Sequence, residues 1–248
     1  GVAYIIHVLS APVRPQTTSA IIPAVWKRIL KRSWPLGIML LLNAIYFRID
    51  MVMLSWFRSG SEVGWYGLAY RIIESGLFLP AAFGGLLLPK ISQAVGTQKA
   101  SQLIEQALLV MAIAGGAALV VLSGAATELV TLFVGVEFAQ AGTLLGILAV
   151  ALVVMFFGYI FGFTLVAAGQ QRKLLRLYAW LAVGNTLANL LFIPRYGASA
   201  AAWTTVGTEA IATIVAGMFV YKTTPYKVAW KHITSITGAF LVSTALLR

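Results

Sequence analysis

The chain has 248 residues, 60% of them hydrophobic and only 10% charged, with a net charge of +11 and no cysteine. A soluble domain carries roughly 25% charged residues, so the composition excludes an ordinary soluble enzyme and points to a membrane protein, as does the mean hydropathy of +0.90. The missing cysteines exclude disulfides, thiolate chemistry and Cys-based metal sites.

The start, 1–10, reads as the tail of an apolar span without the charged n-region of a signal peptide. A short Pro- and Ser/Thr-rich loop follows at 11–22. Residues 23–33 set Trp26, Ile29 and Leu30 against Lys27, Arg28, Lys31 and Arg32, the pattern of a basic interfacial helix. A bilayer span needs about 20 mostly apolar residues. Six segments qualify: 36–57, 64–88, 103–122, 141–168, 174–193 and 198–221. Residues 222–248 hold a basic loop and a further span that starts near Ile233. The expected organisation is 1–33 as flank and interfacial helix, 34–221 as a six-helix lobe, and 222–248 as loop and truncated span. The absence of an initiating Met suggests a piece of a longer polytopic protein.

The expected class is all-α, a polytopic transmembrane helix bundle. Pro80, inside the second span, lacks an N–H and leaves the Gly76 carbonyl unpaired, so a kink is expected there. The longest outer loop, 123–140, has room for a short helix around 127–134. The pairs Gly142/Gly146, Gly158/Gly162 and Ala198/Ala202 have the small-xxx-small spacing that lets helices approach closely in lipid.

Placement of the bases sets orientation. Alternate loops, at 27–32, 90–99, 172–176 and 222–231, carry twelve Lys or Arg, while the intervening ones carry Arg58 and Arg195 alone. By the positive-inside rule the basic loops are cytoplasmic. One orientation thus explains most of the net charge without a nucleic acid, and anionic headgroups are the expected secondary contact.

Four ionisable residues lie inside the first two apolar segments: Arg48 and Asp50 in the first, Arg71 and Glu74 in the second. Each costs roughly 2.5–3.5 kcal/mol at mid-bilayer on insertion scales, so such residues pair or face a polar cavity. At ~100° per residue, Asn43, Tyr46 and Asp50 share one face and Arg48 lies roughly 200° from Asp50. On the second span Gly67, Tyr70, Arg71, Glu74, Ser75 and Phe78 form one face. Asp50 and Arg71 are both about 10 Å below the outer end. An Asp50–Arg71 contact and an Arg71–Glu74 pair are therefore expected to tie Asp50, Arg71 and Glu74 into one cluster. In that arrangement Arg48 points elsewhere.

Guanidinium stays charged and suits phosphate recognition. Arg71, then Arg48, are accordingly the expected binders of an anionic headgroup, with Asp50 and Glu74 in support. A second polar set has Tyr178, Asn185 and Asn189 on one face of the fifth span and Thr205, Thr208 and Glu209 on one face of the sixth. It suits either interhelical hydrogen bonding or ion coupling through Glu209. No Ser/His/Asp set, Walker loop or Asp-rich metal cluster is visible, and His7 and His232 form no motif. No catalytic residue, resident metal or cofactor is therefore expected.

The segments FRIDMVMLSWF (47–57), EVGWYGLAYRIIESGLFLPAAFGGLLLPKIS (62–92), FVGVEFAQAGTLLGILA (133–149), VAAGQQRKLL (166–175) and NTLANLLFIPRYGASAAAW (185–203) resemble, in that order, the second lobe of oligosaccharide flippases of the MATE-like superfamily. The resemblance covers about 34–221. It implies two six-helix lobes related by a pseudo-two-fold axis along the membrane normal, around a central cavity. It also implies alternating-access transfer of a polyprenyl-pyrophosphate-linked oligosaccharide across a prokaryotic cytoplasmic membrane, for surface polysaccharide synthesis or export, with Na⁺ or H⁺ coupling. The lobe preceding this one would then be a required partner. The alternatives are a cation-coupled multidrug antiporter of the same superfamily, or a membrane-embedded transferase or polymerase of the glycan pathway.

Overall fold

The computed structural model describes residues 26, 27, 30 and 46–223. The chain divides into two compact units, Gly1–Leu40 and Leu41–Arg248. Of the first, Trp26, Lys27 and Leu30 are described, all helical. Most of the expected interfacial helix, Asn43, the segment 1–10 and the span near Ile233 lie outside the described residues.

Every regular element described in the second unit is helical. They are α1 (Ile49–Phe57), α2 (Gly60–Gly76), α3 (Phe78–Ala94), α4 (Gln98–Gly124), α5 (Ala126–Phe133), a 3-10 turn (Val136–Phe138), α6 (Ala139–Ala167) and α7 (Gln171–Thr223). Four stretches are long and apolar enough to cross a membrane: Gly60–Ala94, Gln98–Gly124, Val136–Ala167 and Gln171–Thr223. This is an all-α, multi-pass membrane protein.

Local chemistry sets the boundaries. Ser59 caps α2, its hydroxyl accepting the Glu62 N–H at 3.4 Å, and the S-x-x-E spacing is that of a capping box. The kink expected at Pro80 divides the second span into α2 and α3. Leu77 joins them in helical conformation, and its N–H is shared between the Ile73 and Glu74 carbonyls, each at 3.2 Å. The short helix expected at 127–134 is α5. Gly169, at φ 71°, stops α6 in a Schellman motif. There the Gln170 N–H reaches Leu165 O at 2.8 Å and the Gly169 N–H reaches Val166 O at 3.0 Å.

α7 is one 53-residue element only by its hydrogen bonding. At ~1.5 Å per residue a straight helix of that length would reach about 80 Å, against a hydrocarbon core of about 30 Å. Gly197, at φ 61° and ψ −143°, breaks it. Asn185 Nδ2 then donates to Thr208 Oγ1 at 3.2 Å, so the arms 171–196 and 198–223 run back along each other as two spans.

α6 is the central post. It packs on α2, α3, α4, α5 and both arms of α7, and is apolar nearly all round, as a fully buried helix should be. Met53, Tyr66, Leu108, Leu148, Leu152 and Phe156 fill the core around it. Small residues set its spacing. A Cβ on Gly142 would come within 2.4 Å of Thr127 Cα, and one on Gly158 within 2.7 Å of Thr213 Oγ1. Thr213 uses that approach to donate to Val154 O at 3.1 Å.

The turns at 58–59, 134–138 and 197 gather at one end of the bundle. Trp65 Nε1 donates to Glu137 O at 2.9 Å, and Glu62 accepts the Ala198 N–H at 3.1 Å. The turns at 95–97 and 168–170, flanked by Lys90, Lys99, Arg172 and Lys173, lie at the other.

Gly142→Ala should destabilise the bundle by about 1–3 kcal/mol, because its new methyl meets backbone that cannot step aside. Gly162→Ala, in open space, should be neutral or slightly stabilising. Thermal unfolding of the two variants in the same detergent checks the contrast.

Candidate functional site

α1 starts with a defect. Residues 47 and 48 form a turn, and Arg48 sits at φ −125° and ψ −13° before helical backbone begins at Ile49. Beyond it, Asp50 is 4% exposed and faces the bundle interior. Its carboxylate accepts the Met51 N–H at 2.8 Å and the Tyr66 hydroxyl of α2. The Tyr66 oxygen also lies 3.4 Å from Thr205 Oγ1 on the second arm of α7. Tyr70 stacks beside Tyr66 with ring centroids 5.6 Å apart. One turn before Asp50, Tyr46 donates to Glu209 Oε1 at 2.9 Å, and Glu209 is 6% exposed.

The remaining polar core groups extend this layer along the arms of α7. Thr208 Oγ1 accepts from Asn185 and donates to Thr204 O at 2.7 Å. Asn189 Nδ2 donates to Asn185 Oδ1 at 3.0 Å, and Asn189 Oδ1 is buried without a partner among the described residues. Tyr178, on the same arm, is half-buried. Two buried carboxylates thus share one layer with tyrosine, threonine and asparagine. Among the described residues neither has a Lys or Arg within ion-pair distance. No group of three His, Cys, Asp or Glu side chains there could hold a metal ion.

The exposed flank of α2 carries the opposite chemistry. Arg48 Nη2 bonds Glu74 Oε1 at 3.0 Å and Oε2 at 3.2 Å, in a pair about half open to the surroundings. Arg71 and Ser75 are exposed on the same flank, and Arg71 has no ion-pair partner among the described residues.

This arrangement corrects two expected contacts. Asp50 does not meet Arg71, and Arg71 does not pair with Glu74. Tyr66 reaches Asp50 instead, and Arg71, five residues on, lies about 140° around α2 from Tyr66. Arg48, opposite Asp50 as its angle implied, turns outward from the 47–48 break and takes Glu74. The expected single cluster is therefore two sites: an inward acid layer and an outward cationic flank. Sequence reasoning missed Tyr66, the hydrogen-bond partner of Asp50. Its spacing of four from Tyr70 was the available signal, and both rings point into the core.

Residues 1–95 match the family model described as "Polysaccharide biosynthesis protein". A solved structure, "Outward-facing conformation of a multidrug resistance MATE family transporter of the MOP superfamily", superposes with a TM-score of 0.70 at 16% identity, over 88% of this chain and 52% of that one. The chain thus has a MATE-like fold, and the family match is confined to residues 1–95. At that identity the superposition shows the fold. The chain spans about half the length of the transporter it resembles. No curated protein matches it.

Tyr46→Phe should cost about 1–3 kcal/mol, because it strips the hydroxyl donor from a buried Glu209 carboxyl. Arg48→Ala breaks a half-exposed pair and should cost only about 0–1 kcal/mol. Thermal unfolding of both variants tests whether the inward layer or the outward flank holds the bundle together.

Proposed function

We propose that the protein is the second lobe of a flippase. It moves a polyprenyl-pyrophosphate-linked oligosaccharide across the cytoplasmic membrane of a prokaryote by alternating access, with a preceding lobe completing the cavity. The carrying observation is Arg71, exposed on the flank of a membrane-spanning helix and free of any carboxylate among the described residues. An unpaired guanidinium facing lipid is costly, so such a side chain faces a wet cavity. There it offers five donors to a pyrophosphate. Arg48, already engaged by Glu74, contributes charge less directly. The polysaccharide-biosynthesis match over 1–95 supports the glycan as cargo.

The acid layer is the natural seat of ion coupling. Asp50 and Glu209 sit among hydroxyl and amide groups, can exchange a proton or Na⁺ for those neighbours, and tie α1 and α2 to α7. In this reading Asn185, Asn189, Tyr46 and Tyr70 shape the layer. A cation-coupled drug antiporter is the second reading. It is favoured by the same two carboxylates and by the multidrug transporter whose fold is shared.

In the full-length protein, Arg71→Ala should abolish surface polysaccharide and headgroup flipping in liposomes while membrane levels persist. Normal export by that variant would remove Arg71 from the role. Glu209→Gln should retain substrate binding but lose the dependence of transport on an ion gradient. Gradient-dependent efflux of a cationic dye by the wild type, with no flipping, would favour the antiporter.

A further inference from the structure

Where the turns at 58–59, 134–138 and 197 meet, they leave a small pocket of about 240 Å³. It is separate from both the acid layer and the Arg71 flank. Its lining comes from four places in the chain: Arg58 after α1, Glu62 and Trp65 on α2, Gln140 and Thr143 on α6, and Tyr196 and Ser199 on either side of the Gly197 break. On α2, Glu62 and Arg71 are nine residues apart, which places them on opposite faces and about 13 Å apart along the axis.

The chemistry of the pocket differs from that of the flank in charge. Arg58 and Glu62 neutralise each other, with Nε and Nη2 of Arg58 both 2.9 Å from Glu62 Oε1. The second carboxylate oxygen, Glu62 Oε2, takes the Ala198 N–H at 3.1 Å. The ion pair is thereby held at a fixed orientation. The pair carries no net charge to hold a phosphate, whereas a neutral ligand can add hydrogen bonds to its free donors and lone pairs. The Gln140 amide and the Thr143 and Ser199 hydroxyls make no side-chain hydrogen bond to any described residue, so donors and acceptors are both open. Trp65 and Tyr196 add aromatic surface to the lining, and the Trp65 ring is anchored through its N–H to Glu137 O at 2.9 Å. Mixed donors and acceptors beside aromatic rings suit a ligand with hydroxyls on one side and C–H groups on the other. The volume falls below the roughly 300–1,000 Å³ of drug-sized sites, so it suits a single ring rather than a chain of them.

We infer that this pocket is a binding site for a neutral saccharide ring, distinct from the anionic headgroup site proposed on the Arg71 flank. Gln140, Thr143 and Ser199 supply hydrogen bonds to ring hydroxyls, the Arg58–Glu62 pair supplies a fixed donor and acceptor, and Trp65 and Tyr196 supply apolar surface. The sugar comes either from a free saccharide in solution or from the glycan of a lipid-linked carrier. The inference does not depend on the flippase reading.

The test uses the full-length protein in lipid nanodiscs and a panel of neutral monosaccharides, with inorganic phosphate as the anionic control. Binding is read by saturation-transfer NMR and tryptophan fluorescence. At least one monosaccharide should bind saturably and phosphate should not compete. Gln140→Ala and Thr143→Val, both at exposed positions, should each weaken binding by about tenfold, as loss of one hydrogen bond of ordinary strength does. Arg71→Ala should leave it unchanged. If a purified lipid-linked glycan displaces the monosaccharide, the sugar belongs to the carrier; if it does not, the site serves free saccharide. No saturable binding of any monosaccharide, or binding indifferent to both pocket variants, overturns the inference. Failure of Arg71→Ala to affect flipping would instead count against the headgroup site alone.

Discussion

A carboxylate taken out of water must find donors, and this bundle is arranged around that demand. Asp50 and Glu209 enter the interior from different helices, and each is met by a tyrosine hydroxyl from another element: Tyr66 from α2 and Tyr46 from just before α1. The requirement fixes more than two contacts. Meeting Glu209 brings the Tyr46 segment to the second arm of α7, and meeting Asp50 sets the rotation of α2. Thr205 and Thr208, on the face of Glu209, then stand opposite Tyr66 and Asn185. Burying the acids without these partners would cost several kcal/mol per ion, more than any apolar contact nearby returns.

The same geometry keeps unlike charges apart. Inward rotation of Asp50 leaves Arg48 on the other side of α1 and Arg71 on the other side of α2. Had Asp50 met Arg71, the two charges would have neutralised each other and Arg71 would not stand unpaired among the described residues. The break at 47–48 matters here, because it lets Arg48 turn outward to Glu74 while Tyr46, two residues earlier, still faces the core. The result is a polar layer inside the lobe and a cationic flank outside it, with α2 contributing one face to each.

The sequence reveals much of this through periodicity. The five apolar segments from 64 to 221, the break three residues before Pro80 and the short helix near 127–134 follow from length, proline chemistry and composition. The inward faces of Tyr46 with Asp50, and of Thr205 with Glu209, follow from the 100° step. Pairing does not. An angle on one helix says which residues share a face but not which helix that face meets, so Tyr66 went unnoticed as the partner of Asp50. The contact of Arg48 with Glu74 depends on the turn at 47–48, which composition does not announce. The bond from Ala198 to Glu62 joins positions 136 residues apart, and nothing local in either segment marks it.

Gly197 carries a consequence of another kind, concerning chain length. Asn185, twelve residues before this glycine, meets Thr208, eleven residues after it, across the two arms of α7. Removing one residue from either arm between those positions would turn its polar side chain by about 100°, away from its mate and toward the lipid-facing side. Apart from Tyr196 and Ser199 of the pocket, exposed side chains along 186–207 are therefore free to drift while the number of residues between Asn185 and Thr208 is not, which makes this hairpin a segment tolerant of substitution and intolerant of insertion.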